Sequence, residues 1–163
     1  MITRSAAELK LKTFQSLVLG ELVRVPAVLE TDTIGIVIEA APAIRAILFL
    51  TGEHPFEYYQ YRDDKVFLSI AMPAELQFQF EDNQPQLADY TRRGALVVTS
   101  GGALIAAQSN MSQFPDTVYF SASDWKQTDF REPHGTFMAV ENWSLGTVRP
   151  GHEFDQWFSR KTP

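Results

Sequence analysis

The chain has 163 residues, 45% of them hydrophobic and 21% charged, and a formal net charge of −6. That size and composition suit one globular domain, residues 1–163, able to bury its own core. With no cysteine the chain excludes disulfide frameworks, thiolate metal sites and cysteine nucleophiles. Its 14 basic against 20 acidic side chains argue against nucleic acid as a partner, because such binders draw most of their affinity from a basic face.

The densest basic spots are two pairs, Arg92–Arg93 and Arg160–Lys161. The first 20 residues contain Arg4 and Glu8 and no apolar segment of secretory type. The longest strongly apolar run, Ala46 to Leu50, is far shorter than the roughly 20 residues of a membrane span. The expectation is a soluble, cytoplasmic protein with no membrane partner.

In chain order, the first predicted element is a helix over about 6–18. Ser5 and Glu8 form a capping box, and Ala7, Leu11, Phe14 and Val18 recur at helical spacing. Glu8 and Lys12 are placed for a pair one turn apart, and Gly20 is a natural stop. The segment "ELKLK" also alternates like a strand; cap, stripe and stop together favour the helix.

From about 21 to 147 the period changes to two. "ELVRVP", "IGIVIE" and "IRAILFL" are short β-rich runs separated by Thr31–Asp32–Thr33 and by Ala40–Ala43, which predicts a β-meander. "FEYYQY" and "VFLSIAM" flank an Arg62–Lys65 turn. In "ELQFQFE", Leu76, Phe78 and Phe80 take one face and Gln77, Gln79 and Glu81 the other. "ALVVTSGGALIAAQ" reads as a hairpin about Ser100–Gly101–Gly102, and "TVYFS" and "TFMAVENW" as further strands. The end returns to helical spacing: Phe154, Trp157 and Phe158 predict a helix over about 152–160, with acids in its first turn and Arg160 and Lys161 in its last. The fold expected is therefore mainly β, an antiparallel meander or a small barrel or sandwich, with short helices at each end.

The segment "GELVRVP" followed by "IGIVIEAAPAIRAILF" resembles the opening of KOW-type and related small β-barrels, over about residues 20–50. The resemblance implies a local barrel-like meander and, in that family, binding of nucleic acid or protein.

Motifs for chemistry fall short. "TSGGA" lacks the lysine of a phosphate loop, and "HEFDQ" places Gln156 where a zinc protease needs a second histidine. Asp63–Asp64, between two strands, read as turn formers. The three histidines, His54, His134 and His152, each lie beside Pro or Gly with a glutamate within two positions. Converging, they would make a three-imidazole metal site; scattered, they are polar turns. Tyr58, Tyr59, Tyr61, Trp125 and Trp143 supply apolar area with hydrogen-bonding tips, suited to a binding surface. The leading expectation is a non-enzymatic binding or protein-interaction domain with no cofactor, whose partner is a protein or a small molecule. The alternatives are a metal-dependent enzyme using the three histidines, or a small-molecule binder with an apolar barrel cavity.

Overall fold

The computed structural model describes residues 10–25, 33–81, 83–85, 89–109, 116–130, 137–148, 151 and 153–161. These form strands β1 (Lys10–Thr13), β2 (Leu22–Val25), β3 (Thr33–Ala41), β4 (Ile44–Phe49), β5 (Glu57–Tyr59), β6 (Val66–Ala71) and β7 (Leu76–Phe80). The second half contributes β8 (Leu96–Thr99), β9 (Gly102–Ser109), β10 (Thr117–Ser121), β11 (Gln127–Thr128), β12 (Met138–Val140), β13 (Trp143–Val148) and β14 (Phe154–Arg160).

The larger sheet runs β1-β6-β2-β3-β4-β5-β9-β10-β11, with β8 on β9 and β12 on β8; the smaller runs β14-β13-β7. Pairing is antiparallel except for β5 on β9 and a parallel bridge from Glu39 to Lys126. That bridge, together with the Glu39 N–H donating to Trp125 O at 2.9 Å, brings the chain before β11 back against β3. Among the described residues the sheets nonetheless do not form a closed barrel. The meander expected over residues 20–50 is present as β2-β3-β4, and the Ser100–Gly101 hairpin joins β8 to β9.

Strands β2, β3 and β4 are apolar at nearly every position because the sheet is covered on both faces there. Leu22, Ile34, Ile36, Ile38, Ala46 and Leu48 enter the main core. The residues between them, Val23, Val25, Val37 and Ile47, join Phe14, Leu17 and Phe67 in a second cluster. Apart from Ala46, each such side chain contributes about 1.5–3 kcal/mol by burial. Gly35 is required by close approach: a Cβ there would lie 2.4 Å from Ile47 Cγ2 and 3.0 Å from the Leu48 carbonyl oxygen.

The smaller sheet closes over the main core. Trp143, Leu145 and Phe158 are buried in it, with Phe78 and Phe80 packed against it. Trp143 is the joint between the sheets. Its ring lies 4.9 Å from Phe158, 5.7 Å from Phe78 and 6.0 Å from Phe56, and its Nε1 donates to Gly94 O at 2.9 Å.

Neither predicted helix is found among the described residues. Residues 10–13 are strand β1 paired with β6, followed by a single 3-10 turn, Phe14–Ser16; the alternation of "ELKLK" prevails there over the apolar stripe. Leu11, the stripe's second member, is 74% exposed, and Lys12 pairs with the buried Glu21 at 2.7 Å. The capping residues Ser5 and Glu8 lie outside the described residues.

At the other end, residues 154–160 are β14, and the register shifts where Leu145 pairs with Phe158 and Gly146 with Gln156. A bulge of this kind places one extra residue in the strand and breaks strict alternation. Trp157 and Phe158 therefore both reach the core, and the resulting spacing imitates a helix. No helix among the described residues is long and apolar enough to cross a membrane.

Candidate functional site

The expected tyrosine surface is divided between the two faces of β5 and the segment after it. Tyr58 turns to the main core and meets Phe120 edge-on at 5.3 Å. Tyr59 stacks on Phe49 at 4.8 Å, and Tyr61 meets Phe67 edge-on at 5.1 Å; all three tyrosines are half-buried. Trp125 and Trp143 are 4% and 2% exposed, so both indoles lie in the interior. Trp125 has φ of 60° and is wedged against Gly20, where a Cβ would lie 2.3 Å from its ring. Among the histidines, His54 is exposed, while His134 and His152 lie outside the described residues. Among the described residues no group of three or more His, Cys, Asp or Glu side chains is placed to hold a metal.

A cleft lies at the end of the smaller sheet, where β7 and β14 finish and β13 begins. It has a volume of about 700 Å³ and is lined by Phe78 to Glu81, Gln84, Asn142 to Ser144, and Ser159 to Lys161. Strand register builds it. Phe80, Trp143 and Arg160 are directly opposite one another, and so are Gln79, Ser144 and Ser159. Alternation puts these two rows on opposite faces, one toward the core and one toward solvent, and the cleft takes in both where the sheet ends.

The rim is held by polar contacts. Ser144 Oγ donates to Ser159 Oγ at 3.2 Å. Gln84 Nε2 donates to Asn142 O at 3.0 Å while the Asn142 N–H donates to Gln84 Oε1 at 3.1 Å. This two-way bond fixes the loop after β7 to the start of β13.

Beside the cleft the two basic pairs converge. Arg92 Nη1 lies 2.7 Å from Glu141 Oε1, and Arg160 Nη2 lies 3.6 Å from the same atom. Neither contact has hydrogen-bond geometry, so among the described residues Glu141 Oε1 is buried with charge compensation but no hydrogen-bond donor. Arg93 Nη1 reaches Glu57 Oε1 at 2.9 Å, and Glu57 Oε2 accepts from the Tyr59 hydroxyl at 2.8 Å.

The Arg160 guanidinium stands 5.6 Å over the Phe56 ring. Gly94, with φ of 83°, admits it: a Cβ there would lie 2.5 Å from that ring and 3.0 Å from Arg160 Nε. Arg160 Nη1 is buried with no hydrogen-bond partner among the described residues. Burial holds its pKa below the usual arginine value; Glu141 opposes that shift, and Arg92 and Arg93 add to it. The group remains a cation at neutral pH, in a costly place.

A second cleft of about 410 Å³ lies between Phe14, Ile44, Arg45, Tyr61 and Asp63. Its arginine is committed to structure, since Arg45 Nη1 donates to the carbonyls of Gln15 and Leu17.

Of the residues around the larger cleft, sequence reading singled out Trp143, the alternation of Gln79 with Phe78 and Phe80, and the two basic pairs. It missed that the pairs meet, and it missed Gln84, Asn142, Ser144 and Ser159. These are ordinary polar residues whose only signal is cross-strand register. No protein-family model matches the chain, and no curated protein or solved structure matches it either.

Proposed function

We propose that this chain is a non-enzymatic binding domain and that its ligand is a small molecule held in the cleft at the end of the β7-β13-β14 sheet. One observation carries the reading. A concavity of about 700 Å³ combines the half-buried rings of Phe78 and Phe80, backed by the buried Trp143, with a convergent set of amides and hydroxyls, Gln79, Gln84, Asn142, Ser144 and Ser159. Ligand sites are concavities of about 300–1,000 Å³ in which apolar walls supply affinity and a few polar groups fix orientation.

The five polar groups just named also favour holding over reaction, and the lining's carboxylate, Glu81, is exposed and not among them. Amides donate and accept hydrogen bonds but do not transfer protons near neutral pH. Ser144 bonds to another hydroxyl, not to a base. The aromatic residues serve this site from within the sheet, as its inner wall, and the half-buried tyrosines of β5 belong to a different part of the surface.

The test is a small-fragment screen read by thermal unfolding, run in parallel on the wild type and on Gln79→Trp, which fills the mouth of the cleft from an exposed position. Fragments that raise the wild-type melting temperature and leave that of the variant unchanged are expected. A screen without such fragments, or one whose stabilising fragments act equally on the variant, contradicts the assignment.

A further inference from the structure

The cleft is polar on one side and charged at one end, and the charge is unusual for this protein. On a chain of net charge −6, Arg160 and Lys161 both line the cleft against a single acid among the described residues, Glu81. Just behind, Arg92 and Arg93 face Glu141 and Glu57, and Asp89 stands near Arg92.

Arg160 has spare donor capacity. A guanidinium offers five N–H donors in a planar fork. Here Nη2 stands at 3.6 Å from Glu141 Oε1, beyond hydrogen-bond length, and Nη1 is buried without a partner among the described residues. The side chain keeps 17% of its surface exposed and contributes to the cleft lining.

We infer that the ligand carries a carboxylate, bound at the Arg160–Lys161 end of the cleft, with a planar ring or other flat apolar body laid along Phe78 and Phe80. This deepens the binding reading above and rests on it.

Three features select that chemistry. The Arg160 side chain, 17% exposed, and the neighbouring Lys161 ammonium both line the cleft and are matched by an acceptor with two oxygens, one for each cation. Among the described lining residues, Arg160 and Lys161 against Glu81 leave one positive charge, which a monoanion balances. A dianion such as a phosphate monoester would face Glu81 and Glu141 with one charge uncompensated. The remaining lining, amides and hydroxyls around aromatic rings, suits a neutral flat body and gives a second charge no partner.

The experiment uses benzoate and benzamide, which share size and shape and differ in charge. Both are titrated into the full-length, isotopically labelled chain, and binding is read from backbone amide resonances. Benzoate is expected to shift the amides of Ser159, Arg160 and Lys161 together with Gln79 and Ser144. It should bind about tenfold more tightly than benzamide at low salt, with the ratio shrinking as salt screens the charges.

Arg160→Met keeps much of the side-chain stem over Phe56 and should abolish the preference for benzoate. Should that variant fail to fold, the exposed charge change Gln79→Glu provides the same reading, and it should reduce the ratio several-fold. Equal binding of the two compounds at this cleft overturns the carboxylate inference and leaves the binding reading standing. Binding of neither also overturns the inference, and the fragment screen then decides separately whether the cleft takes any ligand. A benzoate preference that survives both substitutions places the anion elsewhere and overturns it as well.

Discussion

The central strands of the larger sheet and the three strands of the smaller one solve different problems with the same backbone. In β2, β3 and β4 both faces are covered, so Leu22 and Val23, or Ile36 and Val37, are neighbours in sequence and are each fully buried on opposite sides. In β7 only one face is covered. Phe78 packs inward and Gln77 and Gln79 face solvent. A sheet region covered twice has no side chains to spare for a ligand. A region covered once keeps a polar row, and where its strands end that row meets the aromatic interior. The candidate cleft sits at that meeting point, and the contrast between the two regions explains why it is there.

The sharpest way to break this contrast is to compare the two faces of the smaller sheet. Trp143→Ala removes the ring joining the sheets and leaves the Gly94 carbonyl without its donor. We expect a loss of about 3–5 kcal/mol, measured by denaturant unfolding. Gln79→Ala, one strand away on the opposite face, should change stability by no more than about 0.5 kcal/mol. Similar costs for the two would mean that the smaller sheet is not one-sided.

The twice-covered region has its own weak point. Gly35→Ala puts a methyl group against Ile47 and against the Leu48 backbone, which cannot rotate away. A loss of about 1–3 kcal/mol from overpacking is expected in the same assay. A neutral result would show that β3 and β4 are less tightly packed than their burial indicates.

A smaller effect is expected at high pH, on the outer face of β10. Burial, with lesser contributions from Tyr90 and Asp89, pushes the Tyr119 pKa up from 10.0 to about 12. Its hydroxyl donates to Tyr90 O at 3.2 Å. Burial raises Tyr61 in the same direction. Below pH 10 the phenol is protonated in both folded and unfolded chains, and its contribution is intact. Between pH 10 and 12 the unfolded chain loses the proton first, so stability falls as pH rises. About 1 kcal/mol should be lost across that window once solvent screening is allowed for, and Tyr119→Phe should flatten the decline. An unchanged decline in the variant would assign the effect to other groups.

Much of the β architecture was legible in the sequence because side-chain alternation follows directly from the pleat. The Ser100–Gly101 turn, the Asp63–Asp64 turn and the two faces of "ELQFQF" all appear where the pattern put them. The two terminal helices were misread for definite reasons. Leu11 stands on an uncovered face of β1, so it is apolar and exposed there and still mimics a helical stripe. A bulge set Trp157 and Phe158 side by side.

The cleft was legible only in pieces. Arg92–Arg93 and Arg160–Lys161 were visible as the densest basic spots, but 66 positions separate Arg160 from Gly94, the glycine that admits its guanidinium. Only the pairing of β13 with β7 and β14 brings Gln79, Ser144 and Ser159 into one row. Register of that range has no local signature.

Amide hydrogen exchange of the full-length chain, with and without saturating benzoate, tests most directly whether the once-covered sheet is the binding region. Added protection is expected at the ends of β7, β13 and β14 around Gln79, Ser144 and Ser159, with β2, β3 and β4 equally protected in both states. Protection gained instead around Arg45 and Tyr61, or nowhere, would contradict the assignment of the site to the smaller sheet.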